Sequence, residues 1–202
     1  MTKRLLTATC LLLVAAGLAG AQDALRTLSA RLAKEVAAFG YSYTTKGTDT
    51  PFKGDGKAIV SGSCYRIQGN GLDIRCDGSV RWTADPAAGE MVIEDAAGQA
   101  LDFLSNPALL VADLEGNFKV AGTSTSGGRK TYMLEPLNEP SIISLALVLE
   151  KDIPVAATLK MKDGSVVDFT VSGFTLAARQ PESVWNFGKE ELSKYKTVTD
   201  LR

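Results

Sequence analysis

The sequence contains no histidine among its 202 residues. Histidine is the commonest general base near neutral pH and the commonest metal ligand, so its absence excludes Ser-His-Asp and Cys-His catalytic arrangements. The chain also lacks the glycine-rich motifs that bind dinucleotides or phosphate. We therefore expect a protein that is not an enzyme and that uses neither a metal nor a cofactor.

An excess of charge of either sign is also missing, with 22 Lys and Arg residues against 23 Asp and Glu residues. Proteins that bind nucleic acid usually carry a strongly basic face, and this composition excludes that class of partner. No solenoid-length repeat or low-complexity tract is present. The composition therefore favours one ordinary domain with a sizeable core.

Long apolar runs are scarce, and the most prominent one lies at the N-terminus. A short basic stretch, Met-Thr-Lys-Arg, precedes an apolar run from Leu5 to Leu18, and Ala19-Gly20-Ala21 follows. The run is too short to span a bilayer well, and the small residues after it fit a cleavage site. The pattern predicts a signal peptide over residues 1–21, cut after Ala21, and a single exported domain over residues 22–202.

Cysteine is rare, with three residues in the whole chain. Cys10 lies inside the predicted signal peptide, which leaves Cys64 and Cys76 in the mature protein. These two are placed symmetrically about Asn70, so a three-residue loop centred there would bring their Cα atoms to ~4.5 Å. In an exported protein this arrangement predicts a disulfide, and two free buried thiols are the alternative.

The most informative structural pattern lies between residues 57 and 94. Four short strand-like runs are separated there by three turn signals, which are Gly-Asn-Gly at 69–71, Asp-Gly at 77–78 and Asp-Pro at 85–86. Each signal supplies the backbone angles that a chain reversal needs. The segment predicts an antiparallel meander, and such sheets usually bury one face.

The rest of the mature chain also favours β structure. Apolar residues at helical spacing predict one long helix over 23–38, ended by Gly40. A Leu- and Phe-rich insert at 99–114 predicts two short helical turns, broken at Asn106-Pro107. Alternating segments bring the total to about ten strands, the last at 184–187. Because a sheet of that size tends to curl, we expect a mainly β (α+β) fold, an incomplete antiparallel barrel with helices over one face.

Five short motifs follow one another along the chain: Phe39-x-Tyr41-x-Tyr43-x-x-Lys46, Asp77-Gly78-x-x-x-Trp82-x-x-Asp85-Pro86, Asn106-Pro107 before a Leu-Leu pair, Lys130-x-Tyr132-x-Leu134-x-Pro136, and Trp185-x-Phe187. In this order they resemble the LolA-like proteins, which are periplasmic carriers that take lipoproteins from the inner to the outer membrane of Gram-negative bacteria. The resemblance extends over nearly all of the mature chain, and its most specific part is the segment from Asp77 to Trp82.

The resemblance implies a curved, unclosed antiparallel barrel under a helical lid, with a concave apolar face that holds lipoprotein acyl chains. It implies a monomer in the periplasm whose partners are acylated lipoproteins, an inner-membrane lipoprotein-releasing ABC transporter and an outer-membrane acceptor. The alternative is a non-shuttling module on the same fold that binds free lipids or senses envelope stress.

The chain departs from the family at one place. The best-studied carriers have an Arg-Pro pair along the strand that opens with Gly56, and that arginine tunes lid opening. Ser61-Gly62 stands at the matching place here. Arg66 or Arg75 could substitute by analogy, and the chain represents a divergent branch of the family.

Strand alternation suggests which side chains line the site. Val80 and Trp82 alternate with Arg81, and because a charged Arg81 should face water, the two apolar residues are predicted to face the concave side. The same reasoning predicts that Met91 and Ile93 face inward. The insert is predicted to form a lid. Plain core is the alternative for each residue of this set. The predicted lipid-contacting residues are Ile59, Val80, Trp82, Met91, Ile93, Phe103, Leu109 and Leu110.

Overall fold

A computed structural model of the protein describes residues 20–31, 33–47, 50–97, 103–104, 106–112, 114–177 and 179–202. Cys10 and almost all of the predicted signal peptide lie outside these residues. The described residues are organised around a single large β-sheet, with a few short helices on its two faces.

The described residues form twelve strands in the order β12-β6-β5-β4-β3-β2-β1-β11-β10-β9-β8-β7. All neighbours are antiparallel except β12, which runs parallel to β6. β7 and β12 form the two edges, so the sheet is open, as predicted. The strands β1 to β12 are Val36–Lys46, Lys53–Ser61, Cys64–Gly69, Leu72–Asp77, Val80–Asp85, Glu90–Asp95, Phe118–Ser126, Arg129–Pro136, Ile142–Glu150, Ile153–Met161, Val166–Ala177 and Thr197–Asp200.

The first helix ends earlier than the sequence predicted. The first helix, α1, is described over residues 20–31 and 33–34, and β1 already begins at Val36. The predicted helix to residue 38 is therefore wrong at its end, because alternating buried residues from Ala37 to Tyr43 place this stretch in the sheet. The remaining helices are α2 (Leu114–Asn117), α3 (Lys189–Leu192) and the 3₁₀ turns Pro107–Leu110 and Glu182–Val184.

Two strand predictions also need correction. The run predicted as one strand before residue 69 is split by a turn at Gly62, whose φ of +58° suits glycine, into β2 and β3. The predicted strand at 184–187 is wrong, because Val184 closes a 3₁₀ turn instead. The last strand is β12, which follows that segment and joins the edge of β6.

Pairing register assigns the side chains to two faces, because directly paired residues point to the same side of a sheet. The inner face carries the main hydrophobic cluster, which includes Tyr41, Ile67 and Phe169 together with buried residues of α1 and of the insert. Tyr41 is directly paired with Gly56, and Gly56 with Gly69. A side chain at Gly69 would collide with the Tyr41 hydroxyl, so these glycines leave room for the aromatic ring.

The outer face carries a second, smaller cluster. Trp82, Ala84, Met91 and Ile93 form it together with Phe187 from the C-terminal segment. That segment, residues 179–196, leaves β11 in the middle of the sheet and packs on the outer face before β12 begins. Both faces of β4 are therefore buried, with Ile74 and Cys76 on the inner side and Arg75 on the outer side, although an antiparallel sheet more often leaves one face to solvent.

The predicted disulfide is not present. The hairpin between β3 and β4 turns on two residues, Asn70 and Gly71, with φ values of 52° and 82°, rather than on three. This register pairs Cys64 with Asp77 and Cys76 with Tyr65. The two cysteines therefore point to opposite faces of the sheet, and both are free thiols.

Candidate functional site

The eight residues predicted to contact lipid do not form one surface. Phe103 and Leu110 are buried in the main cluster on the inner face, and Leu109 packs against it. The other five lie on the outer face. Trp82, Met91 and Ile93 belong to the second cluster, Val80 packs against it, and Ile59 lines an outer groove.

Arg81 explains why the facing of Trp82 was predicted wrongly. Arg81 pairs with Cys76 in the sheet and so points to the inner side. Its guanidinium Nη2 lies 2.6 Å from Oε1 of Glu94, and its side chain is 22% exposed. A charged side chain at the rim of the inner face is thus tolerated through an ion pair, and the apolar neighbours turn outward.

Arg75 holds the C-terminal segment against the outer face. This arginine follows Asp73 on β4, and its side chain is only 6% exposed. Its Nη1 donates to the backbone oxygens of Asn186 at 2.8 Å and Ser183 at 3.2 Å, and its Nη2 donates to Glu191 at 3.0 Å. Neither Arg75 nor Arg66 lies on the inner face, so neither replaces the lid-tuning arginine that the family resemblance suggested.

The inner face is covered by α1 and the insert. Leu25 and Leu28 of α1 and Phe103 and Leu110 of the insert are buried against the sheet. The insert's described part contributes one 3₁₀ turn, which starts at Pro107 as predicted. The short helix α2 begins at the insert's last residue, Leu114, and leads directly into β7. A cover of the inner face is therefore present, whereas the predicted helical lid is not confirmed.

The cover is attached mainly through side chains. The backbone hydrogen bonds of residues 106–112 run inside that segment, from Leu109 to Asn106 and from Val111 and Ala112 to Ala108. Arg26 of α1 pairs with Glu115 of α2 at 2.7 Å, and both side chains are substantially exposed. Gln22 of α1 accepts a hydrogen bond from the backbone N–H of Val120 on the edge strand.

Side chains between the sheet and the cover are shielded from solvent. Burial raises the pKa of Tyr41 and Tyr65 to about 12. Burial likewise raises the pKa of the Cys76 thiol, so the neutral form of each group is favoured. Within the described ranges, no group of three or more Cys, Asp and Glu side chains is placed to hold a metal ion.

A cavity of about 320 Å³ opens between α1 and the sheet. Its floor is apolar and belongs to the main cluster, whereas two cationic side chains and one aspartate stand at its mouth. The lining residues are Ala24, Thr27, Leu28, Arg31, Lys130, Tyr132, Leu149 and Asp152. Sequence reasoning missed this site. The alternation of Lys130, Tyr132 and Leu134 on one strand face could have indicated the sheet side of this cavity. The direction in which Arg31 points from its helix could not be predicted from the sequence.

Two further cavities lie on the outer face. A groove of about 390 Å³ runs over β11, β1, β2 and β3 and contains Ile59 and Lys57. Another, of about 470 Å³, lies beside Cys64 and is bordered by Trp185. None of the helices in the described part of the chain is long and apolar enough to cross a membrane.

No family model and no curated protein matches the chain. Solved structures do. A DUF1329 family protein from Desulfovibrio piger has a TM-score of 0.51 at 10% identity, over 85% of this chain and 98% of that one. LolA superfamily protein NE2245 from Nitrosomonas europaea has a TM-score of 0.47 at 11% identity, over 82% and 96%. A putative outer membrane lipoprotein-sorting protein domain from Vibrio parahaemolyticus has a TM-score of 0.49 at 9% identity, over 82% of this chain and 95% of that one.

These similarities concern the fold. The match to the DUF1329 family protein spans nearly the whole of that structure, and it confirms the open, curved antiparallel architecture. The solved structures that resemble this chain include LolA superfamily and DUF1329 family proteins. At such low identities the matches carry no assignment of cargo or site residues.

Proposed function

We propose that this protein is a periplasmic carrier that binds the acyl chains of lipoproteins between the inner face of its sheet and the cover formed by α1 and the insert. It would receive lipoproteins from an inner-membrane lipoprotein-releasing ABC transporter and deliver them to an outer-membrane acceptor. The observation that carries the proposal is the apolar inner face, covered by segments whose attachments to the sheet are mostly side-chain contacts.

The physical basis is an exchange of one apolar surface for another. Burial of a methylene group contributes about 0.8 kcal/mol whether its partner is a leucine of the insert or an acyl chain. An acyl chain that displaces Leu110 or Phe103 therefore recovers the burial that the displaced side chain loses. The polar attachments of α1 include hydrogen bonds from the Val120 N–H to Gln22 and from Arg31 to the Asp152 oxygen. Its ion pair with Glu115 is exposed, and such pairs contribute at most about 1 kcal/mol.

Two other observations support the proposal. The sequence motifs from Phe39 to Phe187 resemble those of LolA-like carriers, and the open curved sheet agrees with the architecture that the resemblance implies. Carriage of acyl chains requires dry apolar area rather than reactive groups. The raised pKa values of Tyr41 and Tyr65 accord with such a dry interior.

The decisive test is whether the cover must move. Cysteines placed at Arg26 and Glu115, in a background that lacks Cys64 and Cys76, would be joined by a short bifunctional thiol reagent. We expect the joined protein to lose binding of a triacylated lipopeptide, measured by titration calorimetry. The matched control joins positions 119 and 135, an exposed ion pair between β7 and β8 that ties the sheet only to itself.

Equal binding by the joined and the control proteins would show that the cover does not open, and the proposal would fail. Native mass spectrometry of the purified protein addresses the cargo. Co-purified acylated polypeptide supports the carrier, whereas co-purified phospholipid or fatty acid favours the non-shuttling lipid binder. Receipt of cargo from the inner membrane is tested separately by release of lipoproteins from spheroplasts into the soluble fraction.

A further inference from the structure

The cavity between α1 and the sheet combines an apolar floor with cationic side chains. Leu28, Tyr132 and Leu149 supply an apolar floor, and all three are buried in the main cluster. Arg31 and Lys130 stand at the mouth. We propose that this cavity binds a single acyl chain that ends in an anionic group, with the chain on the apolar floor and the anion between Arg31 and Lys130.

Arg31 is held in place while part of its guanidinium stays unused. Its Nη2 donates to the backbone oxygen of Asp152 at 2.8 Å. Within the described part of the chain, its Nε is buried and has no hydrogen-bond partner. A buried donor without a partner costs free energy, and an anion bound beside the same guanidinium would offset part of that cost through charge attraction.

The loop that positions Arg31 has an unusual backbone. Lys151 and Asp152 have φ values of 51° and 60°, and both lie in the left-handed region that residues other than glycine seldom adopt. This turn joins β9 to β10 and directs the Asp152 carbonyl toward the helix. The arginine is thereby fixed at the rim rather than left free in solvent.

Lys130 completes the mouth from the sheet side. It precedes Tyr132 by two residues on β8, so both side chains point to the inner face, and its ammonium lies 4.6 Å from the centre of the Tyr132 ring. In the sheet, Lys130 is directly paired with Leu149 of the cavity floor. A cation that stacks on the floor's own aromatic ring is well placed to meet the head of a chain lying there.

The charge balance at the mouth favours an anion. Three charged residues line the cavity, two cationic and one acidic, and the acidic residue, Asp152, is exposed. Glu35 lies one helical turn beyond Arg31 and does not line the cavity. A carboxylate and a phosphate both provide the acceptor oxygens that an arginine and a lysine recognise.

The inference rests on the proposed function, because the floor of the cavity belongs to the interior assigned to acyl chains. It adds a preference for the head of the ligand, which a lipoprotein acyl chain does not require. The test uses three probes that share one chain and differ in the head group: palmitate, hexadecyl phosphate and hexadecanol.

Affinity is measured by calorimetry below the aggregation point of each probe. We expect the two anions to bind at least roughly tenfold more tightly than the alcohol. A difference of this size corresponds to one charge-assisted hydrogen bond. Arg31→Gln and Lys130→Gln should each remove most of that difference and leave hexadecanol unchanged. Lys34→Gln and Arg129→Gln are the matched controls, because they remove the same charge from exposed neighbouring positions and should have little effect.

Salt provides a second measurement on the unaltered protein, so the test does not depend on how the variants fold. Added sodium chloride should weaken palmitate binding and leave hexadecanol binding unchanged. Binding of all three probes with equal affinity, or equal losses in the test and control variants, would overturn the inference. Binding of only one anion would support it and identify the head group as carboxylate or phosphate.

The failure of this inference is distinguishable from the failure of the proposed function. If the lipopeptide binds and none of the three probes does, the anionic site is wrong and acyl carriage stands. If neither the lipopeptide nor any probe binds, both are wrong.

Discussion

The guanidinium carbon of Arg75 lies 3.8 Å from the centre of the Phe187 ring, although the two residues are 112 positions apart in sequence. Stacking of this kind combines apolar contact with a cation–π attraction. The same guanidinium bonds backbone oxygens of Ser183 and Asn186. Arg75 is thus the main polar attachment of the C-terminal segment to the outer face of the sheet.

Replacement of Arg75 by glutamine should release this segment. The buried side chain makes several charge-assisted hydrogen bonds, and their loss should lower the free energy of unfolding by roughly 2–4 kcal/mol. Urea unfolding measures the loss, and hydrogen exchange should show faster exchange over residues 179–196. Arg66→Gln is the control, because Arg66 hydrogen-bonds Asp73 on the same face and its side chain is 24% exposed. An equally large loss of stability from Arg66→Gln would show that Arg75 does not specifically hold the C-terminal segment on the sheet.

Tryptophan fluorescence should not report on a ligand at the inner face. Trp82 packs in the outer cluster and Trp185 borders an outer cavity. We therefore expect the emission of the unaltered protein to stay unchanged when a lipopeptide binds, the reverse of what strand alternation alone suggested. Tyr132→Trp, made in a background with Phe at positions 82 and 185, should shift its emission on binding because Tyr132 lines the inner cavity. If the unaltered protein shifts its emission on binding and Trp82→Phe abolishes that shift, Trp82 contacts the ligand after all.

Much of the fold was readable from the sequence, because tight turns depend on local chemistry. Asp77-Gly78 and Asp163-Gly164 mark real reversals, and Gly78 and Gly164 have φ values of +94° and +88°. Pro107 also starts a helical turn as predicted. The turn at Gly62 was missed because the residues around it have the pattern of one continuous strand. The hairpin at this turn divides the predicted strand into β2 and β3.

The facing of the strands was not readable, because it depends on residues far away in the chain. Arg75 and Arg81 look alike in the sequence, six residues apart on adjacent strands. Arg75 is buried on the outer face because Glu191 and the carbonyl groups of the C-terminal segment meet it there. Arg81 sits at the inner rim because Glu94 pairs with it. No local pattern indicates that the C-terminal segment covers the outer face.

The insert should behave as core where it touches the sheet and as surface elsewhere. Leu110 is fully buried, whereas its neighbour Leu109 is only partly buried. Leu110→Ala should lower the free energy of unfolding by roughly 2–5 kcal/mol, the usual cost of a cavity in a packed core. Leu109→Ala should cost clearly less, measured in the same urea series. Equal costs would show that the insert packs differently from the arrangement described.

Alkaline pH should reveal the dry interior. Burial raises the pKa of Tyr41 and Tyr65 to about 12 in the folded protein, against about 10 in an unfolded chain. Their contribution is therefore fully present below pH ~10 and is lost as the pH rises toward 12, since only the unfolded state ionises readily in that window. Tyr41→Phe should flatten this loss in urea unfolding measured across the range. An unchanged pH dependence in Tyr41→Phe would contradict the burial of its hydroxyl.

The two cysteines should remain unpaired and differ in reactivity. Cys64 faces the outer side and is half-buried, whereas Cys76 is 1% exposed and accepts a hydrogen bond from the backbone N–H of Gly78. Mass analysis without reductant should find two alkylatable thiols in the denatured protein. In the folded protein Cys64 should react first. Burial raises the pKa of both thiols, so alkylation should be slow at neutral pH and accelerate as the pH rises. Cys64→Ser should remove the fast phase, and a mass lower by two hydrogens with no free thiol would show that a disulfide forms after all.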